Sequence, residues 1–347
     1  MKVAKLIKVM RSGGKFEVIH IHTNQHSDTN LSTNFFTDLN LVPDIIIPVI
    51  NTTASIRLAY LISELASLFC ENKLGLVIVP GDVDSTLAAA LAAYKENISI
   101  AHIESGLRSF DRTMPEEINR ILVDELAEFH FVTEESCFKN LSHLPRENQF
   151  FVGNTMIDSI VEYTNFIDSS EVLETNNLRK GEFILCTFHR PSNVDSVQKL
   201  KMIFDFLDYF SSSYQIVFPM HPRTIKMANS ILGKFPNDKR VKLLGPQNYF
   251  DFQRLIKESK GVFTDSGGIQ EETSYYGIPC CTFRENTERP ITLSKGSNIL
   301  VKSDHWLEPL IVNEIECHLQ KEFHSEIPMW DGFATERIVD ILNTRLC

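Results

Sequence analysis

The sequence lacks the features that would tie it to a membrane, a metal or a nucleic acid. No apolar run approaches the ~20 residues of a membrane-spanning helix. Basic residues do not dominate: 34 Lys and Arg against 45 Asp and Glu leave a net charge of −11. No broad cationic surface is therefore available to displace the counterions of a polyanion. A small anionic ligand is not excluded, because it needs only a local cationic pocket. The seven cysteines are Cys70, Cys137, Cys186, Cys280, Cys281, Cys317 and Cys347. None forms a CxxC pair and their number is odd, which argues against a zinc site and against a disulfide framework. They are expected to be buried thiols of a reducing compartment. Met1-Lys2-Val3-Ala4-Lys5 opens no sustained apolar segment with a cleavage site, so a cytoplasmic protein is expected.

What is present is strand–helix alternation. A chain of 347 residues, 43% apolar and 23% charged, suits two globular α/β domains. Short β-rich runs fall at 17–21, 76–81, 98–104, 128–132 and 149–153, then at 183–189, 215–221, 241–245, 261–265 and 280–284. Between them lie amphipathic stretches such as 116–128, where Ile118, Ile121, Leu122, Leu126 and Phe129 recur at helical spacing. Such alternation predicts α/β architecture: two Rossmann-like domains with parallel, doubly wound sheets and a cleft between them. The polar stretch 168–181 marks the expected boundary, giving domains over 1–168 and 169–330.

Ligands of such folds sit at the carboxyl ends of the strands, and the residues there form a short list. Gly81-Asp82 follows one strand and His102-Ile103-Glu104-Ser105-Gly106-Leu107-Arg108 spans the end of the next. In the second half come His189-Arg190, His221-Pro222-Arg223, Asp265-Ser266-Gly267-Gly268 and Arg284-Glu285-Asn286-Thr287-Glu288-Arg289-Pro290. The first half supplies carboxylates; the second supplies cations and a glycine turn leading into a helix near 269–272, where free N–H groups favour a phosphate. Each signal has a plain alternative. Asp82 suits a helix cap, and Thr113-x-x-Glu116 fits a capping box. Glu271 and Glu272 suit first-turn acids, Arg108 and Arg112 suit solvated charges, and His189 and His221 suit ordinary histidines.

Taken in order, these stretches resemble the non-hydrolysing UDP-N-acetylglucosamine 2-epimerases over nearly the whole chain. The matching segments are Thr23-Asn24-Gln25-His26, Gly81-Asp82, the block from His102 to Arg108 and Pro115-Glu116-Glu117-Ile118-Asn119-Arg120. Val152-Gly153-Asn154-Thr155-Met156-Ile157-Asp158, His189-Arg190, Asp265-Ser266-Gly267-Gly268-Ile269-Gln270-Glu271-Glu272 and Thr287-Glu288-Arg289-Pro290 complete the set. The resemblance implies a GT-B-like fold, a homodimer, and a final helix over 331–347 that crosses back to the first domain. It implies Asp82, Glu104, Glu116 and His189 as catalytic residues. Ser266, Gly267 and Gly268 would bind the diphosphate, Glu272 the ribose, and Arg289 the UDP portion, with Arg108, Arg190 and His221 as further substrate contacts. Gln25 and His26 match a neighbouring site of activation by substrate. No metal and no nicotinamide cofactor is implied; the partner is a UDP-N-acetylhexosamine substrate, with no nucleic acid and no membrane.

The chemistry explains the residue types. The C2 hydrogen of the sugar is not beside a carbonyl, so direct deprotonation is slow. Departure of UDP from C1 builds positive character on the ring and acidifies C2. A carboxylate then takes the proton, leaving 2-acetamidoglucal and UDP, and re-addition after protonation of the opposite face inverts C2. Two faces need more than one proton-handling group, and the departing diphosphate needs fixed donors. Two departures qualify the resemblance. The family opens with a strand ending in Gly-Thr-Arg-Pro-Glu, whereas Met1-Lys2-Val3-Ala4-Lys5-Leu6 aligns with the helix that follows it. Reduced stability and activity relative to a member carrying that strand are expected. His189-Arg190-Pro191-Ser192-Asn193 also differs from the usual pattern, leaving a modified acetamido sugar open as substrate. A hydrolysing epimerase, a nucleotide-sugar-binding homologue without turnover and a GT-B glycosyltransferase are the rival readings.

Overall fold

The computed structural model describes residues 1–24, 36, 39, 41–48, 50–194, 196–220, 240–302, 305–324 and 326–346. The chain divides into two compact units, Met1–Glu162 with Pro328–Cys347, and Tyr163–Ile327. The polar stretch 168–181 thus falls inside the second.

In the first unit, helix α1 (Ala4–Gly13) ends at Gly14 in the left-handed conformation, a position that favours glycine. Strands β1 (Ile21–His22) and β2 (Ile45–Ile46) form a short parallel pair. Then follow α2 (Ala54–Asn72), β3 (Leu76–Pro80), α3 (Asp84–Lys95), β4 (Ser99–Ile103), α4 (Pro115–Leu126), β5 (Phe129–Val132), β6 (Gln149–Phe151) and α5 (Thr155–Glu162). Strands β3-β4-β5-β6 make a parallel sheet in that order. All of β5 is buried, as parallel strands covered on both faces require. Leu61, Leu65 and Phe69 of α2 and the alanines of α3 pack with Val77, Val79 and Ile100. Leu6 and Met10 of α1 cluster with Ala101, Ile103, Phe129 and Phe131.

The second unit contains β7 (Phe183–Thr187), α6 (Val197–Ser211), β8 (Gln215–Pro219), β9 (Val241–Leu244), α7 (Tyr249–Glu258), β10 (Gly261–Thr264), α8 (Gly267–Tyr276), β11 (Cys280–Thr282), β12 (Asn298–Leu300) and α9 (Pro309–Leu319). Its sheet is parallel with order β12-β11-β10-β7-β8-β9. This is the doubly wound Rossmann order, and the direction of winding reverses between β7 and β10. Helix α10 (Ala334–Leu346) belongs to the first unit, where Ile338 and Leu342 join the α1 cluster. The buried carboxylate of Asp158 accepts from the Ala334 and Thr335 amides at 3.1 and 2.5 Å, filling the donor end of that helix. Trp330 Nε1 donates to Thr133 O at 3.0 Å.

Two expectations need correction, and two strands went unread. Strands β2 and β12 are only two and three residues long, below the length at which a pattern stands out, and neither was anticipated. The strand expected over 17–21 is instead Ile21–His22. Cys70 and Cys317 are exposed rather than buried, while Cys137, Cys186, Cys280 and Cys281 are buried. Among the described residues, no helix is long and apolar enough to cross a membrane.

Candidate active site

In the first unit the candidate carboxylates lie on the turns that leave β3 and β4 and on the opening of α4. Gly81 (φ 67°) makes the turn after β3, its amide donating to Ile103 O at 2.9 Å. The next residue, Asp82, is not a helix cap: α3 is preceded by Val83 and has no side-chain cap. Instead its carboxylate takes the Arg120 guanidinium from α4, while Asn119 Nδ2 donates to Asp82 O at 2.9 Å. Arg120 also grips Glu117 at 2.9 Å. One helix thus sets the position of the Asp82 turn.

Glu104 leaves β4 with φ 68°, a left-handed conformation that a non-glycine residue adopts at a cost. Its side chain is 2% exposed and ion-paired with Lys2 Nζ at 2.7 Å. A Cβ added at Gly81 would stand 3.7 Å from Glu104 Oε2, so the β3 and β4 turns converge. Gly106, at φ 82°, abuts Cys137, whose carbonyl oxygen would lie 2.9 Å from any added Cβ. Arg108 is not a solvated charge: it is buried, with Nη1 2.6 Å from Asp124 Oδ2. The capping box that Thr113 and Glu116 would fit, the plain alternative for Glu116, does not form. Pro115 opens α4 after Met114 without a side-chain cap, and Thr113 bonds Asp111. Glu116 is partly exposed in that first turn. Its neighbour Glu117 is buried and accepts from Ser109 N, Ser109 Oγ and Phe110 N at 2.8, 2.9 and 3.0 Å.

In the second unit the candidates gather where β7 and β10 end, at the switch in winding. Asp265 is fully buried and accepts from His189 N at 3.2 Å, Arg190 N at 3.0 Å and Asn193 Nδ2 at 3.0 Å. His189 Nδ1 lies 3.0 Å from Asp265 Oδ1, with the side chain 63% exposed. Burial alone would raise the Asp265 carboxyl; His189 and the other donors outweigh it and hold the group below its ordinary value. Arg190 Nε donates to Asp265 O at 3.0 Å. Ser266 precedes α8, which begins at Gly267, two residues before the expected start. Among the described residues, no side chain caps that end, and a Cβ at Gly268 would meet nothing within 4 Å. This is a helix N-terminus with open approach and a glycine backbone, suited to an anion.

Glu271 and Glu272 are buried rather than first-turn surface acids. Glu271 pairs with Arg289 Nε at 2.8 Å; Arg289 also contacts Glu288 at 2.7 Å, and Glu288 takes Arg284 at 2.9 Å. Gly267 has no room for a side chain here, because an added Cβ would stand 2.5 Å from Glu288 Oε1. Burial, reinforced by Glu271, pushes the Glu272 carboxyl up to about 8, although Gln253 hydrogen-bonds to it. Gln25, His26 and His221 lie outside the described residues. Residues that sequence reasoning missed are Lys2, Glu117, Arg120 and Gln270. Gln270 Oε1 accepts from Thr287 and Asn298 at 2.7 and 3.0 Å, tying the Thr287–Arg289 turn to α8. The Pro115-Glu116-Glu117-Ile118-Asn119-Arg120 segment was the available signal for two of these.

The architecture defines the class first: two Rossmann-like α/β units of the GT-B-like kind, one with an anion-receptive helix end at its switch point. The comparisons then define the family. The model described as UDP-N-acetylglucosamine 2-epimerase matches residues 8–343, and the chain belongs to that family. It is 36% identical over 351 residues to the UDP-N-acetylglucosamine 2-epimerase of Methanococcus maripaludis, covering 98% of this chain and 95% of the relative. It is 33% identical to the UDP-2,3-diacetamido-2,3-dideoxy-D-glucuronate 2-epimerase of Pseudomonas aeruginosa, covering 93% and 90%. The crystal structure of the Methanocaldococcus jannaschii UDP-GlcNAc 2-epimerase, in complex with UDP-GlcNAc and UDP, superposes with a TM-score of 0.88 at 35% identity, covering 99% and 96%.

Proposed function

We propose that this protein interconverts UDP-N-acetylglucosamine and UDP-N-acetylmannosamine without net hydrolysis, by elimination and re-addition of UDP through 2-acetamidoglucal. The observation that carries the reading is the open N-terminus of α8 at the switch point of a Rossmann sheet, in a chain of this family. Ser266, Gly267 and Gly268 would receive the diphosphate through backbone N–H groups, with Arg190 and His221 as further contacts. Glu272 would accept the ribose hydroxyls. Arg289, already committed to Glu271 and Glu288, would serve by fixing the wall of the anion site as well as by charge.

In elimination the C1–O bond breaks and its electron pair leaves with UDP. A carboxylate of the first unit takes the C2 proton, and the C1–C2 double bond of the glucal forms. In re-addition a proton returns to C2 on the opposite face and UDP oxygen attacks C1. Asp82, Glu104 and Glu116 would share the proton work and stabilise positive character on the ring. Arg108 would steady the Glu104 turn, and His189, oriented by Asp265, would act at the leaving diphosphate. A homodimer in the cytoplasm, with Gln25 and His26 in a site of activation by substrate, completes the reading; light scattering and substrate-saturation curves check these parts.

The deciding experiment incubates the protein with UDP-N-acetylglucosamine in D2O and follows C2 by NMR. Deuterium at C2 with UDP-N-acetylmannosamine formed supports the proposal. Free N-acetylmannosamine would establish hydrolysis, and tight UDP binding without exchange would establish an inert homologue. A second substrate reading is favoured by the 33% identity to the diacetamido-glucuronate epimerase of Pseudomonas aeruginosa and by the His189-Arg190-Pro191-Ser192-Asn193 segment. The same assay with the 2,3-diacetamido-glucuronate nucleotide tests it: faster exchange than with UDP-N-acetylglucosamine would move the assignment.

A further inference from the structure

Behind the turns that carry Asp82 and Glu104 lies a polar cluster that none of the proposed steps uses. His102, near the end of β4, and Asp124 on α4 are both fully buried. His102 Nε2 is 2.8 Å from Gly81 O and Nδ1 is 2.6 Å from Asp124 Oδ1. Each ring nitrogen thus faces an oxygen lone pair. Asp124 Oδ1 also receives Ser105 Oγ at 2.5 Å, and Oδ2 receives Gly106 N at 3.1 Å and Arg108 Nη1 at 2.6 Å. Ser105, having donated to Asp124, is free to accept from His130 Nδ1 at 3.0 Å. A single carboxylate thus collects four donors, about its full capacity, from the strand and turn on either side of Glu104.

Ordinary core packing has no need of this arrangement. A buried ion pair is seldom better for stability than apolar side chains of the same volume. Here three of the bonds to Asp124 and one of those to His102 end on the two turns, at Ser105, Gly106, Arg108 and the Gly81 carbonyl. The Gly81 carbonyl precedes Asp82 in sequence, and Ser105, Gly106 and Arg108 follow Glu104. The Glu104 backbone is held in its left-handed conformation between them.

We propose that His102 and Asp124 are positioning residues that lock the Gly81–Asp82 turn and the Glu104–Arg108 turn to α4 as one block, fixing the aim of the two carboxylates at the sugar. The inference rests on the epimerase reading above. A proton transfer at C2 tolerates little displacement of the base, whereas UDP affinity is set in the proposal by the second unit. The pair therefore acts on turnover and not on nucleotide binding.

The test uses the full chain with His102→Gln, which retains a donor toward Gly81 but loses the Asp124 link, and His102→Asn, which does the reverse. Ser105→Ala is a milder third variant should those fail to fold. Expected are kcat losses of about 100-fold for C2 exchange in either His102 variant, the scale of a misplaced catalytic group. KM and UDP affinity should stay within about threefold, the pattern of an interaction realised only in the transition state. Amide exchange should accelerate in the 81–82 and 104–110 segments. Wild-type kcat in the folded variants, or a raised KM with kcat unchanged, overturns the proposal. So does wild-type amide protection of both segments. The two readings separate in the wild-type assay: absence of C2 exchange there sinks the epimerase assignment, while the amide-exchange comparison still decides whether the pair fixes the turns.

Discussion

Two buried carboxyls, one in each unit, are driven in opposite directions. Asp124 of the first unit and Glu272 of the second are 0% and 6% exposed, and burial pushes both upward. Around Asp124, His102, Arg108 and Ser105 overwhelm that push and hold the carboxyl well below its usual range. Around Glu272 the neighbouring Glu271 adds to it, and the group rises to about 8. Depth therefore does not decide ionisation; the supply of donors and cations does. The first unit sets its cations on carboxylates both near and far in the chain: Lys2 on Glu104, Arg120 on Asp82 and on Glu117 one helix turn away, Arg108 on Asp124. The second concentrates Arg284 and Arg289 on Glu288 and on Glu271, the sequence neighbour of Glu272.

The sharpest way to break this division is Glu104→Gln. Turnover should fall about 1,000-fold, within the range of a lost general base, while UDP affinity from the second unit stays nearly intact. Calorimetric titration with UDP beside the D2O assay checks it; equal exchange in the variant removes Glu104 from the mechanism. Next in size is Arg120→Met, which takes the Arg120 guanidinium from two carboxylates, Asp82 and Glu117. Breaking a buried pair from one side costs about 3 kcal/mol, so denaturant melts should show a clear loss. A change within about 0.5 kcal/mol would mean that Arg120 is not structural. Smaller is Gly267→Ala, whose methyl would stand 2.5 Å from Glu288 Oε1. It should push Glu288 aside, disturb the wall of the α8 site and weaken UDP about tenfold, or about 1.4 kcal/mol, with a lowered melting temperature. Unaltered affinity would detach the glycine turn from nucleotide binding.

How much of this could be read from the sequence follows physical lines. A strand such as Phe183–Thr187 declares itself, because a doubly covered parallel strand is a nearly continuous apolar run bounded by turn residues. Ile45–Ile46 and Asn298–Leu300 are too short to carry any period. The candidates at strand ends were legible because the fold rule places ligands there. Their partners were not. Lys2 and Glu104 are 102 positions apart and Arg120 and Asp82 are 38 apart, and no local pattern reports such pairings. For the same reason the plain alternatives, a cap for Asp82 and a surface charge for Arg108, stood beside their functional readings. Local chemistry offered those roles, and tertiary contacts took both residues for others. His102 and Asp124 stood in plain view, one inside a recognised motif, but a buried histidine looks like any other until both ring nitrogens are seen to face acceptors.

A pH-dependent effect is the most direct test of the contrast between Asp124 and Glu272. A carboxyl raised to about 8 in the folded protein, from 4.5 in the unfolded chain, keeps a proton that the unfolded chain gives up. Its contribution to stability is complete below about 4.5 and is lost progressively as pH rises toward about 8. Asp124, held low, has the opposite sign: its contribution is present at neutral pH and is lost only as acid titrates the folded state. Glu272→Gln replaces a protonated acid by a neutral amide of nearly the same shape. It should remove the neutral-range decline, so that variant and wild type melt alike near about pH 5 and the variant melts higher near about pH 8. Melting curves across that range decide the matter. Parallel curves for the two proteins would mean that Glu272 is ionised in the fold, and that the second unit finds a donor for it just as the first does for Asp124.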